Sequence, residues 1–165
     1  MTKEESLEKL FSSFKQYYNI KTQDVVPPFK AEAVFHMHNE QYFLVKSAKI
    51  SDMDSSEYVY FALEDNLCLK DLMELSDKAW STGLSNVVPK DGHKNSDVIL
   101  IVVSDSVDRE VIKGTKKIKK SKSYRFGLYG WSNFKLIVID LGCDAVACNR
   151  LGCDMAKNIR KILAM

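Results

Sequence analysis

The sequence predicts an α+β domain in which helices pack on a mixed sheet of six or seven strands, in the order α-βββ-α-β-α-βββ-α. Three observations carry that expectation. Val98 to Val103 (Val-Ile-Leu-Ile-Val-Val) is apolar without alternation, as in a central strand covered on both faces. Residues 2–18 and 152–164 space their apolar side chains as helices do. Between them lie short runs of strand-like polarity, separated by Gly, Pro, Asn and Asp.

The elements follow in order. Thr2 and Glu5 have capping-box spacing, and Leu7, Leu10, Phe11, Phe14, Tyr17 and Tyr18 form one stripe of a helix over 2–18. Residues 19–28 read as a connector stopped by Pro27 and Pro28. Ala31 to Met37 reads as a strand, Asn39-Glu40 as its turn, Tyr42 to Ile50 as the return strand and Glu57 to Leu63 as a third. Asp65 or Asn66 is the expected cap of a second helix that runs past Trp80 and stops at Gly83. Residues 89–95 read as a turn-rich loop. A strand over 97–104 is followed by a short helix over 106–113 that ends at Gly114. Lys116 to Tyr129 reads as one strand, bent at Gly127. Strands over 134–141 and 145–149 and a helix over 152–164 complete the chain. No repeat of domain-array length and no low-complexity linker interrupts it, so residues 1–165 read as one domain.

Composition narrows the class. Apolar residues make up 45% and charged residues 28%, as in ordinary globular proteins. The longest apolar run is far short of the ~20 residues that a spanning helix needs. The first residues are charged, with no secretory pattern, so a cytoplasmic location and no membrane partner are expected. Net charge is only +2, but it is unevenly placed. Eight of the residues from Ser51 to Asp77 are acidic and one, Lys70, is basic. From Lys113 to Arg125 seven are basic and none is acidic.

That basic stretch supplies the candidate nucleic-acid or partner-binding residues: Lys113, Lys116, Lys117, Lys119, Lys120, Lys122 and Arg125. Lysines neutralise phosphates, and Tyr124, Phe126, Tyr129 or Trp131 would stack on bases. The same lysines would equally protect an exposed edge strand from aggregation. The alternation of Tyr124, Phe126 and Leu128 points those three toward the core, and Trp80 and Trp131 read as structural. The acidic and basic bands would either dock two copies into a homo-oligomer or neutralise each other within one molecule.

The remaining chemistry is sparse. Cys143, Cys148 and Cys153 are spaced five apart, and five extended residues span roughly 16 Å, too far for shared metal coordination. Cys153, at an expected helix start, is a candidate reactive thiol. His36 and His38 share a strand face and would need His93 to complete a metal site. No phosphate-cradling glycine loop, nucleophile elbow or zinc-protease motif occurs. No metal and no cofactor is expected.

Gly130-Trp131, then Leu136-Ile-Val-Ile-Asp140-Leu141, then Asn149-Arg150-Leu-Gly152 resemble the end of an uncharacterised prokaryotic domain family, a domain of unknown function. The resemblance lies mainly over the last third. It implies no known activity and carries over no catalytic residue. The order α-βββ-α-β also resembles the core of restriction-endonuclease-like nucleases. Such sites need an acid on one strand and Glu-x-Lys or Asp-x-Lys on the next, to hold Mg²⁺ and support the attacking water. No Lys follows Glu57 or Glu64 at that spacing, and Lys46 and Lys49 have only Asp52 and Asp54 nearby. The sequence therefore predicts a non-catalytic binding or assembly module of unassigned partner. The alternatives are a nucleic-acid-associated protein using residues 113–125, or a degenerate restriction-endonuclease-like enzyme.

Overall fold

In the computed structural model, residues 1–37 and 54–165 are described. The expected turn at Asn39-Glu40, the return strand Tyr42 to Ile50, and His38, Lys46, Lys49 and Asp52 lie outside the described residues.

The first helix, α1 (Lys3–Phe14), starts where the capping box places it. The Thr2 hydroxyl accepts the Glu5 amide at 3.1 Å, and the Thr2 amide donates to Glu5 Oε2 at 2.7 Å. Leu7, Leu10, Phe11 and Phe14 are buried, and the helix ends before Tyr17 and Tyr18. A three-residue edge strand, β1 (Asn19–Lys21), occupies part of the expected connector and pairs antiparallel with β2 (Ala31–Met37). Three residues are too few to show a period, so the sequence did not announce it.

Strand β3 (Asp54–Leu67) runs antiparallel to β2 and parallel to β4 (His93–Val107). The helix between them, α2 (Leu69–Ser85), is capped by Cys68 rather than Asp65 or Asn66, because β3 carries through to Leu67. A second crossover, α3 (Arg109–Lys117), leads to a hairpin of β5 (Ser121–Ser123) and β6 (Trp131–Asp140). Strand β6 is parallel to β4 and also pairs with β7 (Ala145–Cys148), after which α4 (Cys153–Leu163) closes the described chain. The sheet order is β1-β2-β3-β4-β6, with β5 and β7 side by side along the outer edge of β6. The α+β fold and its mixed sheet are those the sequence predicts, and the described elements follow the order α-βββ-α-β-α-βββ-α with the unforeseen β1 as one of the first three strands.

The sheet separates two cores. Ile99, Ile101 and Val103 face α1 and α4, while Val98, Leu100 and Val102 face α2 and α3. All six are fully buried, which is why that run lacks alternation. Two glycines read as helix stops lie inside helices instead. A Cβ on Gly83 of α2 would come within 2.5 Å of Val98 Cγ2, and one on Gly114 of α3 within 2.4 Å of Leu69 Cδ1. Their role is close approach, and α3 therefore extends to Lys117. The expected long strand over 116–129 is correspondingly reduced to β5 and a short 3₁₀ turn at Arg125–Gly127.

Candidate nucleic-acid interface

The basic stretch runs the height of the sheet along its β6 edge. Lys113, Lys116 and Lys117 lie on α3, Lys119 and Lys120 follow it, Lys122 lies on β5, and Arg125 opens the 3₁₀ turn. The segments are held by Asn149, buried just after β7. Its carboxamide donates to the carbonyls of Phe134 (2.9 Å) and Ile118 (3.2 Å), and accepts the amides of Leu136 and Gly152 (both 3.0 Å).

Only part of the stretch is neutralised. Lys120 pairs with Asp77, joining the basic band to the acidic one. Lys122 Nζ lies 5.5 Å from the Tyr124 ring centre and the Arg125 guanidinium 4.9 Å from that of Tyr129. Lys113, Lys117 and Lys119 are exposed, and none of them, nor Lys116, pairs with a carboxylate among the described residues.

At the lower end, the β5–β6 loop departs from expectation. Tyr124 points inward, its hydroxyl 2.9 Å from Ser132 Oγ, but Phe126 and Leu128 point to solvent. The reason is the backbone. Arg125, Phe126 and Gly127 all have positive φ (46°, 55° and 87°), so the residues do not alternate as a strand. Phe126 is 104% exposed, Leu128 78% and Trp131 43%. Trp131 is therefore half on the surface, whereas Trp80 packs edge-on against Phe134. His93 fixes the loop's base: its Nδ1–H donates to the Tyr129 carbonyl at 2.6 Å, and Nε2 meets Ser96 Oγ at 2.8 Å. His93 begins β4 rather than lying in a loop, and His36 Nδ1 sits 2.8 Å from Ser56 Oγ.

At the upper end, a groove of about 630 Å³ opens between α3, β7 and α4. Arg109, Lys116, Arg150 and Arg160 line it, with Asp140 as its one acid. Asp140 is buried, and its carboxylate accepts the Gly142 and Cys143 amides. Arg160 donates to the Val146 carbonyl at 2.6 Å, while Arg109 and Arg150 have no acidic partner among the described residues. These arginines are isolated in the sequence and met only through the fold. The groove also gathers Cys143, Cys148 and Cys153. Here the extended-chain spacing fails. The 3₁₀ turn Arg150–Gly152 folds the chain back, and the sulfurs of Cys148 and Cys153 lie 3.1 Å apart.

A third cluster lies under α1. Lys135 Nζ reaches Asp97 Oδ2 at 2.9 Å and Glu57 Oε1 at 3.1 Å, and the Tyr18 hydroxyl donates to the other oxygen of Glu57. Two acids and a lysine thus meet from β3, β4 and β6, not from one Glu-x-Lys strand. Burial and the neighbouring Glu57 charge raise the Tyr18 hydroxyl pKa well above its usual range. Lys135 bridges both carboxylates and leaves Asp97 Oδ1 buried without a hydrogen-bond partner, and no group of three His, Cys, Asp or Glu suited to a metal ion occurs among the described residues.

Family comparison covers nearly the whole chain: the model of a domain of unknown function, DUF8052, matches residues 2–161. The chain belongs to the DUF8052 family. The match extends well beyond the last third, where the resemblance was legible. No curated protein and no solved structure matches this DUF8052 domain. Among its described residues no helix is long and apolar enough to cross a membrane.

Proposed function

We propose that this DUF8052 domain is a non-catalytic binding module whose partner is single-stranded nucleic acid, bound along the β6 edge of the sheet. The observation that carries the reading is the β5–β6 loop. It holds a fully exposed Phe126 in a left-handed backbone, beside Leu128 and Trp131, at the end of a basic stretch in which Lys113, Lys116, Lys117 and Lys119 have no acidic partner among the described residues. Strained backbone and exposed apolar side chains on a firmly anchored loop are what a binding surface requires and a core does not. Lys113, Lys116, Lys117 and Lys119 supply phosphate contacts, and Phe126 and Trp131 supply faces for bases. The four free cysteines suit a reducing compartment such as the cytoplasm.

The test is fluorescence anisotropy with labelled DNA and RNA oligonucleotides. Four phosphate contacts on a single strand predict an affinity loss of about 50-fold between about 50 and about 200 mM salt. Replacing Lys113, Lys116, Lys117 and Lys119 by Ala flattens that dependence. Phe126→Ala weakens binding by about 1–3 kcal/mol at either salt. Absence of binding at the lower salt overturns the reading.

A further inference from the structure

We propose that Cys148 and Cys153 form a redox-active dithiol that exchanges with an anionic low-molecular-weight disulfide held in the groove between α3, β7 and α4. Both thiols line that groove, and their sulfurs lie 3.1 Å apart. Closing them into a disulfide requires about 1 Å of further approach. The turn between them is held by Asn149, whose oxygen accepts the Gly152 amide at 3.0 Å, so the thiols face each other without ordering a loop.

The two sulfurs have different surroundings. Cys153 is exposed on the first residue of α4, where a disulfide in the groove can reach its sulfur, and its thiol donates to the Asn149 carbonyl at 3.3 Å. Cys148 is half-buried at the end of β7; burial, and the hydrogen bond with Cys153, push its thiol up to about 11. Cys153 is thus the attacking thiol and Cys148 the resolving one. The Cys153 thiolate attacks one sulfur of the bound disulfide, forms a mixed disulfide and expels the first thiolate. Cys148 gives its proton to that leaving thiolate, attacks the Cys153 sulfur and expels the second. The second thiolate takes up from water the proton that Cys153 released on forming its thiolate, so the protein loses two hydrogens and the small disulfide becomes two thiols. Arg109, Lys116, Arg150 and Arg160 surround the sulfurs with cationic groups, which selects a carboxylate-bearing disulfide over a neutral one.

The reduced full chain is incubated with glutathione disulfide, then alkylated and mapped by mass spectrometry. The expected product has Cys148 and Cys153 joined, with Cys68 and Cys143 alkylated. Cys148→Ser traps the glutathione adduct on Cys153, and Cys153→Ser abolishes the reaction. Arg109→Ala with Arg150→Ala slows oxidation by glutathione disulfide about tenfold and leaves that by neutral 2-hydroxyethyl disulfide unchanged. Four alkylated thiols after oxidation, or a bond through Cys68 or Cys143, overturns the proposal. Equal slowing with both disulfides overturns the anionic selectivity.

Discussion

The carboxamide of Asn149 completes the hydrogen bonding of Leu136 in the way a neighbouring strand would. Strands β5 and β7 pair with opposite ends of β6, leaving residues 134–136 between them. There Asn149 Oδ1 accepts the Leu136 amide and Nδ2 donates to the Phe134 carbonyl, while the Asn149 amide donates to the Leu136 carbonyl. Asn149→Ala orphans the buried Leu136 amide and takes the side-chain donor from the Phe134 and Ile118 carbonyls, while the Gly152 amide keeps the Asn149 carbonyl, and is expected to lower unfolding stability by about 3 kcal/mol. Asn149→Asp keeps the acceptor but turns a negative oxygen on the carbonyls of Phe134 and Ile118, so it does not rescue. Urea denaturation of the three proteins checks both expectations.

The helical glycines separate in a second measurement. Helix propensity alone favours Ala over Gly by about 1 kcal/mol at each. At Gly83 the new methyl meets both γ carbons of Val98, a β-branched residue on the central strand, which has nowhere to go. Gly83→Ala is expected to destabilise by about 1–3 kcal/mol. At Gly114 the obstacle is the far end of Leu69, which can rotate, so Gly114→Ala is expected to be neutral or slightly stabilising. Thermal midpoints that fall equally for both would contradict this account.

These positions also show what the sequence discloses. Unbroken apolarity located the central strand, because burial on both faces leaves its trace in every side chain of Val98 to Val103. The capping box located the start of α1, because both partners lie within four residues. Gly83 and Gly114 misled, because a helix stop and a close approach select the same residue. The basic stretch was legible as charge, but the turn that exposes Phe126 was not, since left-handed backbone at Arg125 and Phe126 follows no residue preference. The Cys148–Cys153 contact and the arginines around it arise from the fold-back at Arg150–Gly152, beyond the reach of extended-chain spacing.

Lys135 links stability to alkaline pH. Burial alone would lower its pKa, but Glu57 and Asp97 outweigh that, and the net shift is upward. The native state therefore holds this proton more tightly than the unfolded chain. Its contribution is complete below the unfolded value of about 10.4 and is lost as pH rises through the native one. Lys135→Met leaves Glu57 and Asp97 facing each other without their cation, and is expected to destabilise by about 3 kcal/mol at neutral pH. The stability curves of the two proteins should converge above about pH 10. A constant gap across that range would show that Lys135 acts by packing.

Phe126 tests whether the exposed loop is maintained for function. Its side chain is wholly in solvent, so it contributes no burial, and its left-handed backbone costs an L-residue roughly 1–2 kcal/mol. Glycine adopts that conformation freely but adds unfolded-state entropy of up to about 1 kcal/mol, which offsets part of the gain. Phe126→Gly is therefore expected to raise unfolding stability by about 0.5–1 kcal/mol while weakening oligonucleotide binding as Phe126→Ala does. A residue that lowers stability where it stands, and whose removal harms only binding, is retained for its contact with a partner. Should Phe126→Gly instead lower the thermal midpoint with binding intact, the aromatic ring serves the fold and the nucleic-acid reading loses its main support.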